Sequence, residues 1–534
     1  MLDLLLRNGR IIDGTGAPWV RGDVGVASGR IVAMAPHLSQ RSHRMIDATG
    51  CLVTPGFIDT HSHGDFGILA FPAAENLLQQ GVTTAIVGQC GVSLAPLTDE
   101  AEPLILSQFP FLPREVRRGG RLPWRSFGDY LDHVERSKPA INLAALVGHG
   151  ALRALVTGHE ARAPRPEELR KMKELLGVCL EEGAVGMSTG LIYPPGAYST
   201  TDELIALAMT LEEHHRLYAT HLRSETAGLL GAFEEALTIA KRSGVSLHVS
   251  HHKAAGRRNW GSVRETLARM ETARAAGIDI TCDVYPYTAG STTLTALLPP
   301  WAAEGGTDKI RASLSDPSCR VRITQALEEE TCDWENLFRA VGPDRIVLAT
   351  CPGHSDLVGQ SLEQTADRLG RPVHETLFDL IAESPEGTLV VLFEMSEDDV
   401  AHVICHRLSM ICSDGDIRPA SGERLHPRTF GSFARALAET NCGRYSIALE
   451  EMIRKMTSFP AQRMGLRDRG ILREGLAADI LVFHEDEISE GCDFETPNQY
   501  ARGMRYVVVN GAPVLEAGSL TEARPGTVFR AGRE

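Results

Sequence analysis

The middle of the chain repeats one pattern, and that pattern limits the folds open to it. Short apolar runs end in polar or glycine-rich clusters: "NLLQQGVTTAIVGQCG", "NLAALVGHG", "LEEGAVGMSTGL", "HRLYATHLR", "VSLHVSHHK", "IDITCDVYPY" and "LSMICSDGD". Helical stretches such as "PEELRKMKELLGVCLEEG" and "GSVRETLARMETARAAG" lie between them. Repeated strand-then-helix units demand a parallel sheet with right-handed crossovers, and eight of them close a barrel. The expected fold class is therefore α/β, a TIM-like (β/α)8 barrel. In such barrels chemistry collects at the C-terminal ends of the strands.

The two ends of the chain have a different texture. "LLLRNGRIID", "GDVGVASGRIVAMAP" and "RMIDATGCLVTPG" alternate short β-rich runs with turns, and "AADILVFHED" and "YVVVNGAPVLEAG" repeat this near the C-terminus. Asn-Gly and Ser-Gly pairs between apolar runs are hairpin signals. The expectation is one small β-sandwich built from residues 1–56 with 466–534, and a barrel over 57–465. Residues from about 292 to 400 break the β-then-α rhythm and read as an insertion over the barrel mouth, a lid or a surface elaboration.

A formal net charge of −15 argues against a nucleic-acid or anionic-membrane partner, which would need clustered cations. No apolar run is long enough to span a bilayer, and the N-terminus lacks the regions of a signal peptide. Eleven cysteines without CxxC spacing fit reduced thiols, so the cytoplasm is the expected compartment. A homo-oligomer is left open.

"TPGFIDTHSHGD" places His61 and His63 two apart at a strand end, where alternation would turn both to one face. Imidazole is the commonest protein ligand for zinc. Asp59 precedes them with its role open. A lone HxH is weak evidence among 19 histidines. His221, the pair His251 and His252, His149 and Asp414 each fall at the end of a different candidate strand. Their joint placement predicts a metal site.

These stretches, with "GMSTGLIYPPG", "ATHLRSE", "YPYTAGST", "HPRTFGSF", "MTSFPAQRMGL" and "GLAADILVF", resemble the N-acyl-D-amino-acid deacylase (D-aminoacylase) group of the amidohydrolase superfamily. The likeness runs in order along nearly the whole chain. Many relatives bridge two metals with a carboxylated lysine or an acidic residue. The D-aminoacylase group uses the cysteine of "GxCG", and this chain has "GQCG" with Cys90. A thiolate is a strong zinc ligand. By resemblance, Cys90, His221 and His251 hold a tight zinc, while His61, His63 and Asp414 surround a second, weaker or vacant position. Adjacent strand residues face opposite ways, so only one of His251 and His252 can point inward; the family pattern favours His251, with Lys253 on its side.

Zinc lowers the pKa of water and polarises a carbonyl, and a carboxylate can take the water's proton and return it to the departing amine. Asp414, followed by glycine at a strand end, is the expected general base and acid. Arg428 can bind a free α-carboxylate bidentately. Lys253, Tyr193, Tyr285 and Ser291 resemble substrate-contacting positions of the group, although Tyr193 in "LIYPPG" can equally anchor a loop. His149 either helps bind substrate or closes the barrel floor. The resemblance implies a zinc-dependent hydrolase of small N-acyl-D-amino acids, and D-selectivity comes from the resemblance alone. A cyclic-amide hydrolase of hydantoinase or dihydroorotase type shares the barrel and HxH but would carry a bridging lysine in place of Cys90. A metal-free binding protein of this fold would have lost ligands, whereas all six are retained.

Overall fold

The computed structural model describes residues 1–107, 116, 121–385, 387–420 and 423–532. Among the described residues, eight parallel segments follow one another along the middle of the chain. They are Phe57–Asp59, Val82–Val87, Asn142–Ala145 with Val147–Gly148, Gly186–Gly190, Leu217–His221, Ser246–Val249, Ile280–Val284 and Ser409–Ile411. Each pairs in parallel with the next. Leu146 interrupts the third segment, where the chain passes from a three-stranded into a six-stranded sheet. A single parallel bridge from Ser62 to Gly415 brings the ends of the first and last strands together.

Every residue of these strands except Ser246 is buried. A parallel sheet covered on both faces has no solvent side, so its strands read as continuous apolar runs. The covering helices carry local start and stop signals. Phe127–Arg136 is capped by Ser126, with Asp129 completing the box, and buries Phe127, Tyr130, Leu131 and Val134 on one stripe. Pro166–Glu182 begins on proline and ends at Gly183, whose φ of 122° suits glycine.

Both chain ends meet in one nine-stranded sheet. Leu52–Pro55 lies at its centre, parallel to Leu2–Ile11 and antiparallel to Ile480–Phe483. Ser28-Gly29 and Asn510-Gly511 turn hairpins, as their sequences predict. Asn8-Gly9 does not. The first strand runs straight through it to Ile11, with a register shift between Leu6 and Gly9 and a left-handed Asn8 at φ 61°. The pair makes a bulge instead, and a side chain at Gly9 would collide with Val53.

The stretch that breaks the rhythm lies between the seventh and eighth parallel strands. It packs a hydrophobic cluster of its own, from Leu294 to Leu392, against an antiparallel sheet of Gly290–Thr293, Leu389–Leu392 and Ile346–Thr350. None of the helices among the described residues is long and apolar enough to cross a membrane.

Candidate metal centre and substrate cavity

Cys90 sits just beyond the strand Val82–Val87, and three imidazoles converge on its sulfur. The Sγ lies 3.3 Å from His61 Nε2, 3.4 Å from His251 Nε2 and 3.7 Å from His221 Nδ1. Asp414, beyond Ser409–Ile411, turns Oδ1 to within 3.5 Å of His61 Nε2 and 3.2 Å of His63 Nε2. All six residues named from the sequence therefore share one cluster, with His61, His63 and Asp414 together in one set and His221 and His251 beside the Cys90 sulfur. His61 stands between Cys90 and Asp414 and belongs to both candidate positions. His221 also groups with His251 and Glu225, a carboxylate that the sequence reading passed over.

In each of three sets the possible ligand atoms lie within 4.8 Å of one another: His61, Cys90 and His251; His61, His63 and Asp414; His221, Glu225 and His251. Imidazole, thiolate and carboxylate together suit zinc. The nitrogens turned toward Cys90 and Asp414 are His61 Nε2, His63 Nε2, His221 Nδ1 and His251 Nε2. The donor set thus fits a metal ion.

The orientation of these side chains has a cause other than strand alternation. The strand carrying "GFIDTHSH" stops at Asp59, and the one before "SHHK" stops at Val249. His61 and His63 reach one side from beyond the strand, around the Ser62 bridge. His251, His252 and Lys253 lie in a turn, which sends His252 Nε2 outward to Thr266 Oγ1 at 2.7 Å. Cys90, His251 and Asp414 all have left-handed backbones, with φ of 52°, 34° and 49°. Such conformations cost about 1–3 kcal/mol each and persist where the surroundings overdetermine them.

Two buried aspartates supply much of that constraint. Asp283 Oδ1 accepts the His251 N–H at 2.5 Å, while its Oδ2 accepts from Thr60 Oγ1 at 2.7 Å and pairs with His248 Nε2 at 2.8 Å. Asp59 accepts the N–H groups of His61 at 3.2 Å and Ser413 at 2.9 Å, and the Ser413 hydroxyl. It therefore ties the first and last strand ends together; burial pushes its carboxyl up to about 7. Burial also works against charge on Asp414, but Arg428 Nη1, 2.7 Å from Asp414 Oδ2, holds that carboxyl well below its usual range.

The cluster opens into a cavity of about 330 Å³ whose wall includes Tyr193, Lys253, Tyr285, Ser291 and Arg428. Lys253 Nζ donates to both Glu225 oxygens at 2.9 Å and approaches His251 Nδ1 at 2.8 Å. Burial opposes its charge, yet Glu225 keeps the ammonium above its ordinary pKa. The Arg428 guanidinium lies 4.9 Å from the Tyr285 ring centre, and its Nη2 donates to the Ser291 carbonyl at 3.3 Å. Tyr193 packs edge-on against His221, and its hydroxyl meets Thr292 Oγ1 at 3.1 Å, so it contacts the cavity and anchors its loop. His149 is the exception. Its Nε2 pairs with Glu203 at 2.8 Å, and the side chain is fully buried away from the cavity wall, to which only its neighbour Gly150 contributes. The rhythm-breaking stretch also contributes to the lining, including Leu298, Ile310, Leu337 and Leu389.

Cavity, strand-end cluster and parallel sheet together define a metal-dependent hydrolase of the barrel type. The chain belongs to the amidohydrolase family, which residues 44–311 and 432–515 match. It is 34% identical to the D-aminoacylase of Alcaligenes xylosoxydans xylosoxydans, over 99% of this chain and 97% of that protein. A crystal structure of D-aminoacylase superposes with a TM-score of 0.84 at 33% identity, covering 99% of this chain and all of the other. The N-acyl-D-glutamate deacylase of Bordetella bronchiseptica, solved with zinc and a phosphonate mimic of the tetrahedral intermediate, gives 0.82 at 34% identity with 99% and 100% coverage. The expected α/β barrel class stands.

Proposed function

We propose that this chain is a zinc-dependent amide hydrolase that deacylates N-acyl-D-amino acids to a carboxylate and the free D-amino acid. The observation that carries the reading is the Cys90 sulfur held among His61, His221 and His251, with Asp414 beside them. The whole-length likeness to D-aminoacylase and to a zinc-containing deacylase supports it.

Cys90, His221, His251 and His61 would hold the ion, with His63 and Asp414 at a second position. A zinc bound there supplies Lewis acidity, lowering the pKa of water toward about 7 and polarising the amide carbonyl. Asp414 is ionised by its contact with Arg428, so it accepts the proton of the attacking water at Oδ1 and returns it to the leaving nitrogen. Arg428 presents its remaining donors to the substrate α-carboxylate, with Lys253, Tyr285 and Ser291 around the same space. Tyr193 closes the side next to His221.

The test is a panel of N-acyl-D- and N-acyl-L-amino acids with purified, zinc-loaded protein. Hydrolysis of the D series, abolished by chelation and restored by zinc, is the expected outcome. Preference for L substrates, or a protein that stays inert after zinc addition, sinks it.

A further inference from the structure

The imidazole nitrogens of His221 and His251 that point away from Cys90 face a single carboxylate. His251 Nδ1 lies 3.2 Å from Glu225 Oε1, and His221 Nε2 lies 3.6 Å from Glu225 Oε2. The same two oxygens accept from Lys253 Nζ, each at 2.9 Å. A carboxylate behind ligand imidazoles selects their tautomer, steadies the rings and raises their basicity. The placement of Glu225 therefore bears on two of the zinc ligands at once.

Glu225 lies outside the sheet. The fifth parallel strand stops at His221, and the next helix starts at Leu229. Between them the chain is irregular, yet Ser224, Glu225 and Thr226 are all buried. One side chain from the rhythm-breaking stretch gathers their polar groups. Glu335 accepts the Glu225 N–H at 3.0 Å on Oε1 and 3.1 Å on Oε2. Its Oε2 also accepts the Thr226 N–H at 3.3 Å and the hydroxyls of Ser224 and Thr226 at 2.6 and 2.8 Å. Each of these groups donates, so a carboxylate, which only accepts, suits them. From the other side the Ala255 N–H donates to the Glu225 carbonyl at 2.7 Å.

Glu335 is held in turn by the packing of its own stretch. It is 5% exposed and stands just before the helix Leu337–Val341. Asn336 caps that helix by accepting the Arg339 N–H at 3.1 Å, and it donates to the carbonyls of Leu327 at 3.0 Å and Glu329 at 3.2 Å. Leu337 and Phe338 join the hydrophobic cluster that runs from Leu294 to Leu392. That cluster thus presents a buried acid to a turn 110 positions earlier in the chain, and the turn carries the carboxylate behind His221 and His251. Without Glu335 the buried Glu225 N–H is left unpaired among the described residues, and the turn must shift to satisfy it.

Resting on the zinc-hydrolase reading, we propose that Glu335 is a positioning residue for the metal centre. By holding the backbone of residues 224–226 it sets Glu225 against His221 and His251. The packing of the rhythm-breaking stretch is thereby linked to the tightness of metal binding. Glu335 acts through Glu225 and takes no part in the proton transfer.

The zinc affinity of the full-length protein, measured by competition with a chromophoric chelator, tests this. Glu335→Gln keeps the side-chain volume but turns an amide NH2 toward donors, and Glu335→Ala removes the acceptor altogether. Both should raise the zinc dissociation constant, Glu335→Ala by roughly 10- to 100-fold. Both should also alter the visible spectrum of the cobalt-substituted protein. Glu225→Gln should weaken zinc binding to a similar extent, and combining it with Glu335→Ala should add little, because the two act through one contact. Wild-type zinc affinity and cobalt spectrum in both Glu335 variants, with only a lower denaturation midpoint, make Glu335 a structural tie and overturn the inference. Fully additive losses in the double variant overturn it as well. Where Glu335→Ala does not fold, Glu335→Gln and Ser224→Ala carry the same comparison. A wild-type protein that binds no zinc and hydrolyses no N-acyl-D-amino acid overturns the hydrolase reading, and this inference with it. Tight zinc binding by wild type and by the variants alike overturns the inference alone.

Discussion

Two buried polar clusters in this molecule use similar residues to opposite ends. Around Asp479 the partners close on one another. Its Oδ1 accepts the Asn510 N–H at 2.7 Å, its Oδ2 accepts from Asn142 at 3.1 Å and pairs with Arg469. Asn142 Oδ1 in turn accepts from Asn510 Nδ2 at 2.8 Å and the Thr527 N–H at 3.1 Å. This network joins a parallel strand, the terminal sheet and the C-terminal segment. Around Cys90, nitrogens of His61, His221 and His251 converge on one sulfur with the Asp414 carboxylate beside His61, and three residues adopt left-handed backbones. Buried polar groups are ordinarily satisfied, so an open cluster marks where a ligand completes the set, and a closed one marks structure.

Breaking each cluster should therefore have different consequences. Cys90→Ala should have the largest effect on catalysis. It removes the thiolate ligand, so zinc content measured by atomic absorption falls and activity drops by more than the roughly 10²–10⁴-fold that one acid–base group supplies. Asp414→Asn should lower kcat by roughly 10²–10⁴-fold while the metal at Cys90 remains bound. A variant with near wild-type kcat would assign the proton transfer elsewhere. Arg428→Ala removes charge-assisted bonds worth roughly 1.5–3 kcal/mol, so KM should rise by roughly 10- to 100-fold. A smaller fall in kcat should accompany it, since Arg428 also holds Asp414. Steady-state kinetics separate the two effects.

Asp479→Ala should affect catalysis least. It leaves Arg469 only the partly exposed Asp468 and strips the Asn142 and Asn510 donors of their acceptor, so the loss of folding stability should stay below the roughly 3–5 kcal/mol of a fully broken buried pair, seen as a lower denaturation midpoint. Zinc content and kcat of the folded fraction should not move. A loss of metal in this variant would show that the closed network also supports the open one.

Much of this was legible along the chain. Burial on both faces leaves an unmistakable run of apolar residues, and a polar cluster at each strand end stands out against it. His61, His63, His221, the pair His251 and His252, and Asp414 were visible in that way, whereas Cys90 and the choice of His251 came from the resemblance of "GQCG" and "VSHHK" to the deacylase group. The bulge at Asn8-Gly9 was not, because an Asn-Gly pair suits a hairpin turn and a bulge alike; pairing with Val20–Ala27 and Leu52–Pro55 decided between them. Strand alternation gave the right face for His61 and His63 by the wrong route, since local periodicity does not report where a strand stops.

Glu225, Asp283 and Glu335 carried weaker signals. An acid inside "ITCDV" is a departure from an apolar run and could have been weighed. Its partner could not. Lys253 meets Glu225 across 28 positions and Asp414 meets Arg428 through a helix start, and such pairs exist only once the strand ends converge. His149 shows the converse: its placement at a strand end resembled the ligands', yet packing turned its ring to Glu203.

The chemistry available to this protein, its thiol, imidazoles and carboxylates at the ends of buried strands, was determined by the sequence, because residue type and hydrophobic period are local properties. The tertiary structure decided which of these groups meet. It set the sharing of His61 between Cys90 and Asp414, the ionisation of Asp414 beside Arg428, and the pairing of Lys253 with Glu225. Those depend on distances between segments far apart in the chain and on the low polarity created by burying them together.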